Sequence, residues 1–124
     1  MSNAASQATD FYEKAAKHGK VYTITDADSF LVFLINGKEV VPFWTSRSRI
    51  EKVKVNHPKY VKYVIDEIRL EKFLEKTLEQ FEEEKIHIGL NWSGARLIGY
   101  DVSVADLKKN LGYWLNKEIG KDST

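Results

Sequence analysis

The chain has 124 residues, of which 43% are hydrophobic and 30% are charged, and its formal net charge is +1. A chain of this length and composition can bury a sizeable core and carries too little net charge to stay disordered, so we expect one globular domain. The near-neutral balance argues against a protein whose whole surface attracts nucleic acid or anionic lipid. The sequence has no cysteine, which excludes disulfides, thiolate nucleophiles and cysteine metal sites.

The ends of the chain and its longest apolar run bear on domain limits and location. Residues 1–4 are typical of an expression-vector remnant, residues 5–120 are predicted to form the single α+β domain, and residues 121–124 a C-terminal tail. The apolar run 30–35 is far shorter than the ~20 residues of a membrane span, and the N-terminus lacks the pattern of a signal peptide. Together with the lack of cysteine, these features favour a cytoplasmic bacterial protein.

The N-terminal part of the chain predicts a helix followed by a strand. Residues 6–17 have amphipathic helical spacing, and Gly19 is suited to end the helix because glycine tolerates a positive φ. Residues 20–25 alternate in the manner of a strand, and the polar residues 26–29 indicate a turn.

An apolar run and a hairpin come next. Residues 30–35 are continuously apolar over the length of a strand, which predicts a central strand covered on both faces. Asn36 and Gly37 tolerate the positive φ of a type I′ turn, so residues 38–43 are expected to fold back antiparallel. Pro42 cannot donate to a strand ladder and indicates the end or edge of that strand.

A short helix and a further strand follow the hairpin. Thr45 or Ser46 can cap a helix that runs to about Val55, and Pro58 stops it. Residues 63–68 are predicted to form the next strand.

The C-terminal half begins with the clearest helix of the sequence. From Leu70 to Phe81 the apolar residues lie on one helical stripe. Residues 86–92 alternate as a half-buried strand, and a turn at Ser93 leads into a second hairpin strand over residues 95–102.

The last helix completes the predicted order of elements. It begins near a capping box at residues 103–106, carries its apolar stripe to Leu115 and ends at Gly120. The resulting order is α-β-β-β-α-β-α-β-β-α, with hairpins towards both ends. This order predicts an α+β fold, in which about five or six strands form a mostly antiparallel or mixed sheet with three to four helices packed on it.

Three short segments form a composite pattern. They are Pro42-Phe43-Trp44-Thr45-Ser46 with Arg49, Gly89-Leu90-Asn91-Trp92-Ser93-Gly94, and Gly99-Tyr100-Asp101-Val102. Together they resemble the bacterial family domain of unknown function 2750 over about residues 10–116, with the serine after the first tryptophan shifted by one residue from the family's pattern. The resemblance implies a shared fold and carries no assigned activity or cofactor.

Six residues in these segments are candidate binding residues. Aromatic and arginine residues together are preferred anchors of protein interfaces, and both indoles lie at predicted strand ends beside polar groups. If the strand ends are adjacent, these side chains would line one surface, although indoles are more often part of the core. The candidates are Trp44, Ser46, Arg49, Asn91, Trp92 and Asp101. For Asp101, a structural hydrogen bond to the turn or helix start is the favoured role.

The sequence contains no recognisable catalytic or metal-binding constellation. His18, His57 and His87 lack the spacing of metal ligands, so neither a metal nor another cofactor is expected. Ser93 lies in a tight turn rather than in the strand-to-helix elbow of a hydrolase nucleophile. These observations lean against an enzyme and leave the question undecided.

Three functions remain open at this point. The first is a non-enzymatic module that binds a protein partner, in its concrete form an immunity or antitoxin-like protein that masks a toxin. The second is a small-ligand-binding domain or an unrecognised enzyme, with Arg49 pairing an anionic group of the ligand. The third is weak nucleic-acid binding through the basic segment 47–62, with Trp44 and Tyr60 stacking on bases, which the near-neutral charge disfavours. No membrane partner is expected.

Overall fold

The computed structural model of the chain describes residues 4–122, so that most of the predicted vector remnant and half of the predicted tail lie outside the described residues. The α-helices are α1 (Ala4–His18), α2 (Arg47–Asn56), α3 (Leu70–Lys72), α4 (Leu78–Glu84) and α5 (Val104–Asp122). The strands are β1 (Lys20–Asp26), β2 (Ser29–Phe30), β3 (Phe33–Ile35), β4 (Lys38–Phe43), β5 (Val64–Arg69), β6 (His87–Leu90) and β7 (Asp101–Val102). A 3-10 turn (Pro58–Tyr60) precedes β5, and a π-helical stretch (Phe73–Thr77) joins α3 to α4.

The strands form two sheets rather than one. The first has the order β2-β1-β5 and the second the order β3-β4-β6-β7. All pairs are antiparallel except β4 with β6, which is parallel. Tyr22 and Trp44 join the sheets through two backbone N–H···O bonds of 2.8 Å each. The predicted α+β class and mixed strand pairing are therefore confirmed, with the strands divided between two sheets.

The first hairpin and α2 form as predicted. Asn36 and Gly37 have φ of 51° and 78°, and Ile35 pairs with Lys38 across the turn, as a type I′ hairpin requires. The side chain of Ser46 caps α2 by accepting a hydrogen bond from the backbone N–H of a residue one turn on. The strand–turn–helix unit from residue 33 to residue 56 thus follows from local sequence.

The prediction of one central strand over residues 30–35 is wrong. The run is divided between β2 and β3, each of which is an edge strand of its sheet, and Val32 and Leu34 are 43% and 75% exposed. A continuous apolar run usually marks a strand covered on both faces. Here it marks a segment that crosses from the edge of one sheet to the edge of the other.

The predicted strands around the second hairpin are too long. Asn91 has a φ of 53°, which ends β6 at Leu90, and β7 contains only Asp101 and Val102. Residues 91–100 form a compact irregular loop held by a bridge between Ser93 and Ile98. Burial does not alternate in this loop, since Asn91 and Trp92 are both buried and residues 94–96 are all exposed.

The helices differ from the predictions in two details. Between α3 and α4 the backbone widens into a π-helical stretch, while Phe73, Leu78 and Phe81 still face the interior as predicted. The last helix does not end at Gly120, since α5 continues to Asp122. In the described part of the chain no helix is both long and apolar enough to cross a lipid bilayer.

The buried side chains form two clusters. The larger core is centred on Phe11, Phe43, Phe73, Phe81 and Leu111, where α1, α4 and α5 pack on the strands. The smaller core consists of Tyr22, Ile24, Val40, Trp44, Ile50, Val53, Tyr60, Trp92 and Leu97. Consecutive residues of β1 and β4 point into opposite clusters, so these two strands separate the cores.

Candidate functional site

The two candidate tryptophans lie together inside the smaller core. Trp44 has 0% and Trp92 1% of its surface exposed. The indole Nε1–H of Trp44 donates to the carbonyl oxygen of Trp92 at 2.8 Å, and Nε1–H of Trp92 donates to the carbonyl oxygen of Tyr100 at 2.9 Å. Buried indoles normally satisfy their N–H groups in this way. The pair therefore ties the end of β4 to the 91–100 loop.

Asn91 is buried and connects three segments of the chain. Its Oδ1 accepts hydrogen bonds from the backbone N–H and the hydroxyl of Thr45, at 3.1 and 3.4 Å. Its Nδ2 donates to the carbonyl oxygen of Gln7 at 3.4 Å. The backbone N–H of Asn91 donates to the carbonyl oxygen of Phe43 at 2.9 Å. The side chain thus fixes the loop against α1 and against the residues that precede α2.

Two glycines make room for the ring of Trp92. A Cβ atom placed on Gly89 would lie 2.5 Å from Trp92 Cε2, and one placed on Gly99 would lie 2.5 Å from Trp92 Cδ1. Real Cβ atoms do not approach other heavy atoms so closely, so only glycine fits these positions without a shift of the indole. Two glycines of the composite pattern are therefore explained by close packing against one tryptophan.

The N-terminal turn of α2 carries the remaining polar candidates. The hydroxyl oxygen of Ser46 accepts a hydrogen bond from the backbone N–H of Arg49 at 3.3 Å and lies 3.1 Å from the hydroxyl of Ser48. Nη2 of Arg49 donates to Oδ2 of Asp10 on α1. The Arg49 side chain is still 34% exposed, so part of the guanidinium faces solvent.

A groove of about 430 Å³ lies between α2 and the start of the 91–100 loop. Its lining residues are Ser46, Ser48, Arg49, Lys52, Val53, Asn56, Trp92, Ser93 and Gly94. The two elements are also tied together by a contact of 3.1 Å between His57 Nε2 and the carbonyl oxygen of Gly94. Six of the nine lining residues carry a hydroxyl, amide or cationic group, and we call this groove the α2 groove.

The structure distributes the six candidates over three places. Ser46, Arg49 and Trp92 line the α2 groove, while Trp44 and Asn91 are buried beside it. Asp101 lies apart on β7, as the following contacts show. A binding role for these residues stays a prediction, and the network around Trp44 and Asn91 accounts for their presence by structure alone.

Asp101 lies in a small polar cluster on the second sheet. Its Oδ1 lies 3.2 Å from Nζ of Lys38 and 3.0 Å from Nδ1 of His87. All three residues lie on neighbouring strands, and none of them lines the α2 groove. Asp101 was expected to bond to the turn or to the helix start, but the partners of its side chain lie on neighbouring strands. A binding role for Asp101 stays a prediction.

Several groove residues were not identified as such from the sequence, although Lys52 was counted among the basic residues of segment 47–62. Ser48, Lys52 and Asn56 belong to the exposed side of α2, where the helical spacing of polar residues resembles any solvated face. Asp10 pairs with Arg49 across the fold, and no sequence pattern links these two positions. The predicted capping role of Ser46 was the local feature that could have indicated the polar side chains in the first turn of α2.

The structure also bears on the nucleic-acid hypothesis and on metal binding. Trp44 and Tyr60, the aromatics expected to stack on bases, have 0% and 7% of their surface exposed, so neither presents a ring face to a ligand. Within residues 4–122 no group of three or more histidine, aspartate or glutamate side chains is arranged to hold a metal ion.

Comparisons with known proteins place the chain in a family. Among solved structures it is similar to Tic22 from Plasmodium falciparum, with 25% sequence identity and a TM-score of 0.40. The alignment covers 68% of this chain and 48% of that one, so the chain spans about half the length of that protein. A comparison with curated proteins finds no match. The family described as Protein of unknown function (DUF2750) matches residues 8–111, and the chain, whose three motif segments all lie in that range, belongs to this family.

Proposed function

We propose that the chain is a non-enzymatic protein-binding module whose α2 groove takes an acidic segment of a partner protein. The observation that carries the proposal is the presence of both Arg49 and Lys52 in a groove whose other polar lining residues carry hydroxyl and amide groups. A guanidinium and an ammonium, with neutral donors around them, form charge-assisted hydrogen bonds with carboxylates.

The charge around the groove supports an acidic partner. In segment 47–62 the only acidic residue is Glu51, against six lysines and arginines. Arg49 already pairs with Asp10, and its remaining N–H groups are available to a second carboxylate because a guanidinium has five donors. Lys52 is exposed, and within the described residues it has no ion-pair partner. The groove therefore has uncompensated positive charge on its α2 side.

The polarity of the groove favours a protein segment over a small molecule. Sites for small ligands are lined mainly by hydrophobic and aromatic side chains that enclose the ligand. The accessible lining of the α2 groove is about half apolar, but its hydrophobic residues Val53 and Trp92 are only 3% and 1% exposed and contribute little of that surface. Carboxylate side chains of a protein partner need only the polar rim that Ser46, Arg49 and Lys52 provide.

In its most specific form the proposal is that the chain masks an acidic surface of a partner, as an immunity protein or antitoxin masks a toxin. Such a role needs a rigid recognition face and no chemistry of its own. The hydrogen bonds of Asn91 and the two indoles fix both walls of the groove, which supports a preformed face.

The test is a titration of the isotope-labelled chain with a short glutamate-rich peptide, followed by nuclear magnetic resonance. We expect shifts at Arg49, Lys52 and Ser93. Arg49→Gln should weaken binding about ten-fold or more, since a hydrogen bond to a charged group contributes about 1.5–3 kcal/mol. Lys52→Gln should weaken it only about two- to five-fold, as an exposed ion pair does.

Arg47→Gln is the matched control for this titration. Arg47 is the exposed first residue of α2 and does not line the groove. Arg47→Gln therefore changes the net charge as much as Lys52→Gln does, without removing a groove contact. If Arg47→Gln and Lys52→Gln weakened binding equally, the peptide would be bound through the net charge of the chain rather than through the groove, which would contradict the proposal. Parallel titrations with inorganic phosphate and with single-stranded DNA test small-ligand binding and nucleic-acid binding. If the chain responds to one of these and not to the peptide, that function replaces the proposed one.

A further inference from the structure

A carboxylate of the chain itself contacts one of the two cations of the α2 groove. Nη2 of Arg49 on α2 donates to Oδ2 of Asp10 on α1. Lys52, the other cation, makes no salt bridge with any residue in the described part of the chain. Asp10 therefore uses part of the hydrogen-bonding capacity that Arg49 could offer to the carboxylate of an acidic partner.

A partner carboxylate that binds to Arg49 has to come close to Asp10. The guanidinium has five N–H donors and can hold two carboxylates, but these then lie close to each other and repel. The partner avoids this repulsion only by displacing Asp10, and the contact between Asp10 and Arg49 is then lost. By either route, Asp10 lowers the affinity of Arg49 for a carboxylate from outside the chain.

Asp10 is placed so that its contact with Arg49 can be exchanged. Its Oδ1 lies 3.9 Å from Nζ of Lys14, one turn further along α1, so Asp10 keeps a counter-ion when Arg49 turns to a partner. The side chains of Asp10, Lys14 and Arg49 are 31%, 40% and 34% exposed. The exchange therefore takes place at the surface and does not require either core to open.

We propose that Asp10 is an internal competitor of the acidic partner and holds the affinity of the α2 groove for carboxylates below the value that Arg49 and Lys52 alone would give. The inference rests on the proposed function and adds a regulation of the same site. A carboxylate within the chain is present at a high effective concentration, so it competes at every concentration of the partner. Lys52 has no such competitor among the described residues and provides the first contact.

The titration with the glutamate-rich peptide, repeated with Asp10→Asn, tests this inference. Asparagine keeps the size of the side chain and an oxygen that can accept from Arg49, but it removes the negative charge. We expect Asp10→Asn to bind the peptide about two- to five-fold more tightly than the wild-type chain, the range for an exposed ion pair. Glu13→Gln is the matched control, because Glu13 lies one turn further along α1, removes the same charge and makes no salt bridge with a described residue.

Two further variants show whether Asp10 acts through Arg49. In a chain that already carries Arg49→Gln, Asp10→Asn should change the affinity no more than Glu13→Gln does, because the shared cation is gone. Lys14→Gln should have the opposite effect and weaken peptide binding about two-fold, since Asp10 then has Arg49 as its one counter-ion in the described chain. Lys17→Gln, at an exposed position of the same helix, is the control for the lost positive charge and should weaken binding less.

The outcomes separate this inference from the proposed function. Weaker peptide binding by Asp10→Asn would show that Asp10 holds Arg49 in place for the partner, which would overturn the inference and leave the proposed function intact. An equal gain from Asp10→Asn and Glu13→Gln would also overturn it, because the effect would then follow the net charge of the chain. A peptide that binds neither the wild-type chain nor Asp10→Asn would contradict the proposed function, and the inference with it. Amide spectra from the same titrations show whether each variant keeps the wild-type fold.

Discussion

The two cores of this fold are stabilised in different ways. The larger core is built from aliphatic and phenylalanine side chains whose rings meet edge to face or tilted, such as Phe43 with Phe73 at 5.0 Å between centroids. The smaller core is held by directed hydrogen bonds from Trp44, Trp92 and the neighbouring Asn91. The motif residues of the family pattern concentrate around the smaller core. The pattern therefore reflects the packing and hydrogen bonds that shape the α2 groove.

The largest expected effect compares one aromatic residue from each core. Trp92→Ala and Phe73→Ala should each lower the free energy of unfolding by about 3–5 kcal/mol, because both side chains are fully buried. Only Trp92→Ala should shift the amide resonances of Ser46, Arg49 and Lys52, since Trp92 lines the groove and Phe73 does not. Urea unfolding and amide spectra of both variants check this. Groove shifts of equal size in Phe73→Ala would contradict the distinction between the cores.

A pair of glycine substitutions should have effects of opposite sign. Gly89→Ala should destabilise the chain by about 3 kcal/mol, because the new methyl would overlap the indole of Trp92, and overpacking of a core costs about 1–3 kcal/mol. Gly112→Ala lies in α5, where a Cβ atom would meet no atom within 4 Å. It should stabilise the chain by about 0.5–1 kcal/mol, since alanine favours a helix. Thermal unfolding of both variants measures the difference.

One directed hydrogen bond of the smaller core can be removed together with part of the ring that donates it. Trp44→Phe keeps an aromatic ring and leaves the buried carbonyl oxygen of Trp92 without the indole donor that it accepts from. An unsatisfied buried acceptor costs about 1–3 kcal/mol. The smaller ring also leaves a cavity at a fully buried position, so we expect a loss of about 2–3 kcal/mol in urea unfolding. A neutral result would mean that the smaller core depends on ring packing alone.

The smallest expected effect concerns a tyrosine of the larger core. Burial raises the pKa of Tyr12 above its ordinary value of 10.0, a hydrogen bond from Asn110 lowers it in part, and the charge of Asp106 raises it further. Because the pKa is higher in the folded than in the unfolded chain, the neutral phenol contributes stability below pH 10 that is lost as the pH rises through the folded-state value. Tyr12→Phe should therefore show a shallower loss of stability above pH 10 than the wild-type chain, measured by urea unfolding at several pH values.

The sequence correctly predicted the elements that depend on interactions between neighbouring residues. The Asn36-Gly37 turn and the Ser46 cap each depend on a few neighbouring residues, and both form where they were expected. The α+β class followed from the order of such elements. The predicted strand at 30–35 failed because an apolar run shows only that its side chains avoid water, and the same run can follow two sheet edges instead of one sheet centre.

The site was predicted only in part, because its parts meet through tertiary contacts. The two tryptophan segments are adjacent because β4 and β6 pair in parallel, and the sequence alone could not show this pairing. Arg49 pairs with Asp10 of a different helix, and no spacing of residues in the sequence indicates this pair. The close packing of Gly89 on Trp92 likewise depends on where the loop returns.

The strand pairing has a consequence for how the chain reaches its native state. β1 pairs with β5 over six residues, so the segment between them, which includes β4, is enclosed as one long loop. β4 in turn pairs with β6, which lies beyond that loop. Neither sheet can be completed before distant parts of the chain have met, and closing such loops early costs entropy. We therefore expect comparatively slow folding in a single phase, and we expect that no fragment ending before β6 folds by itself.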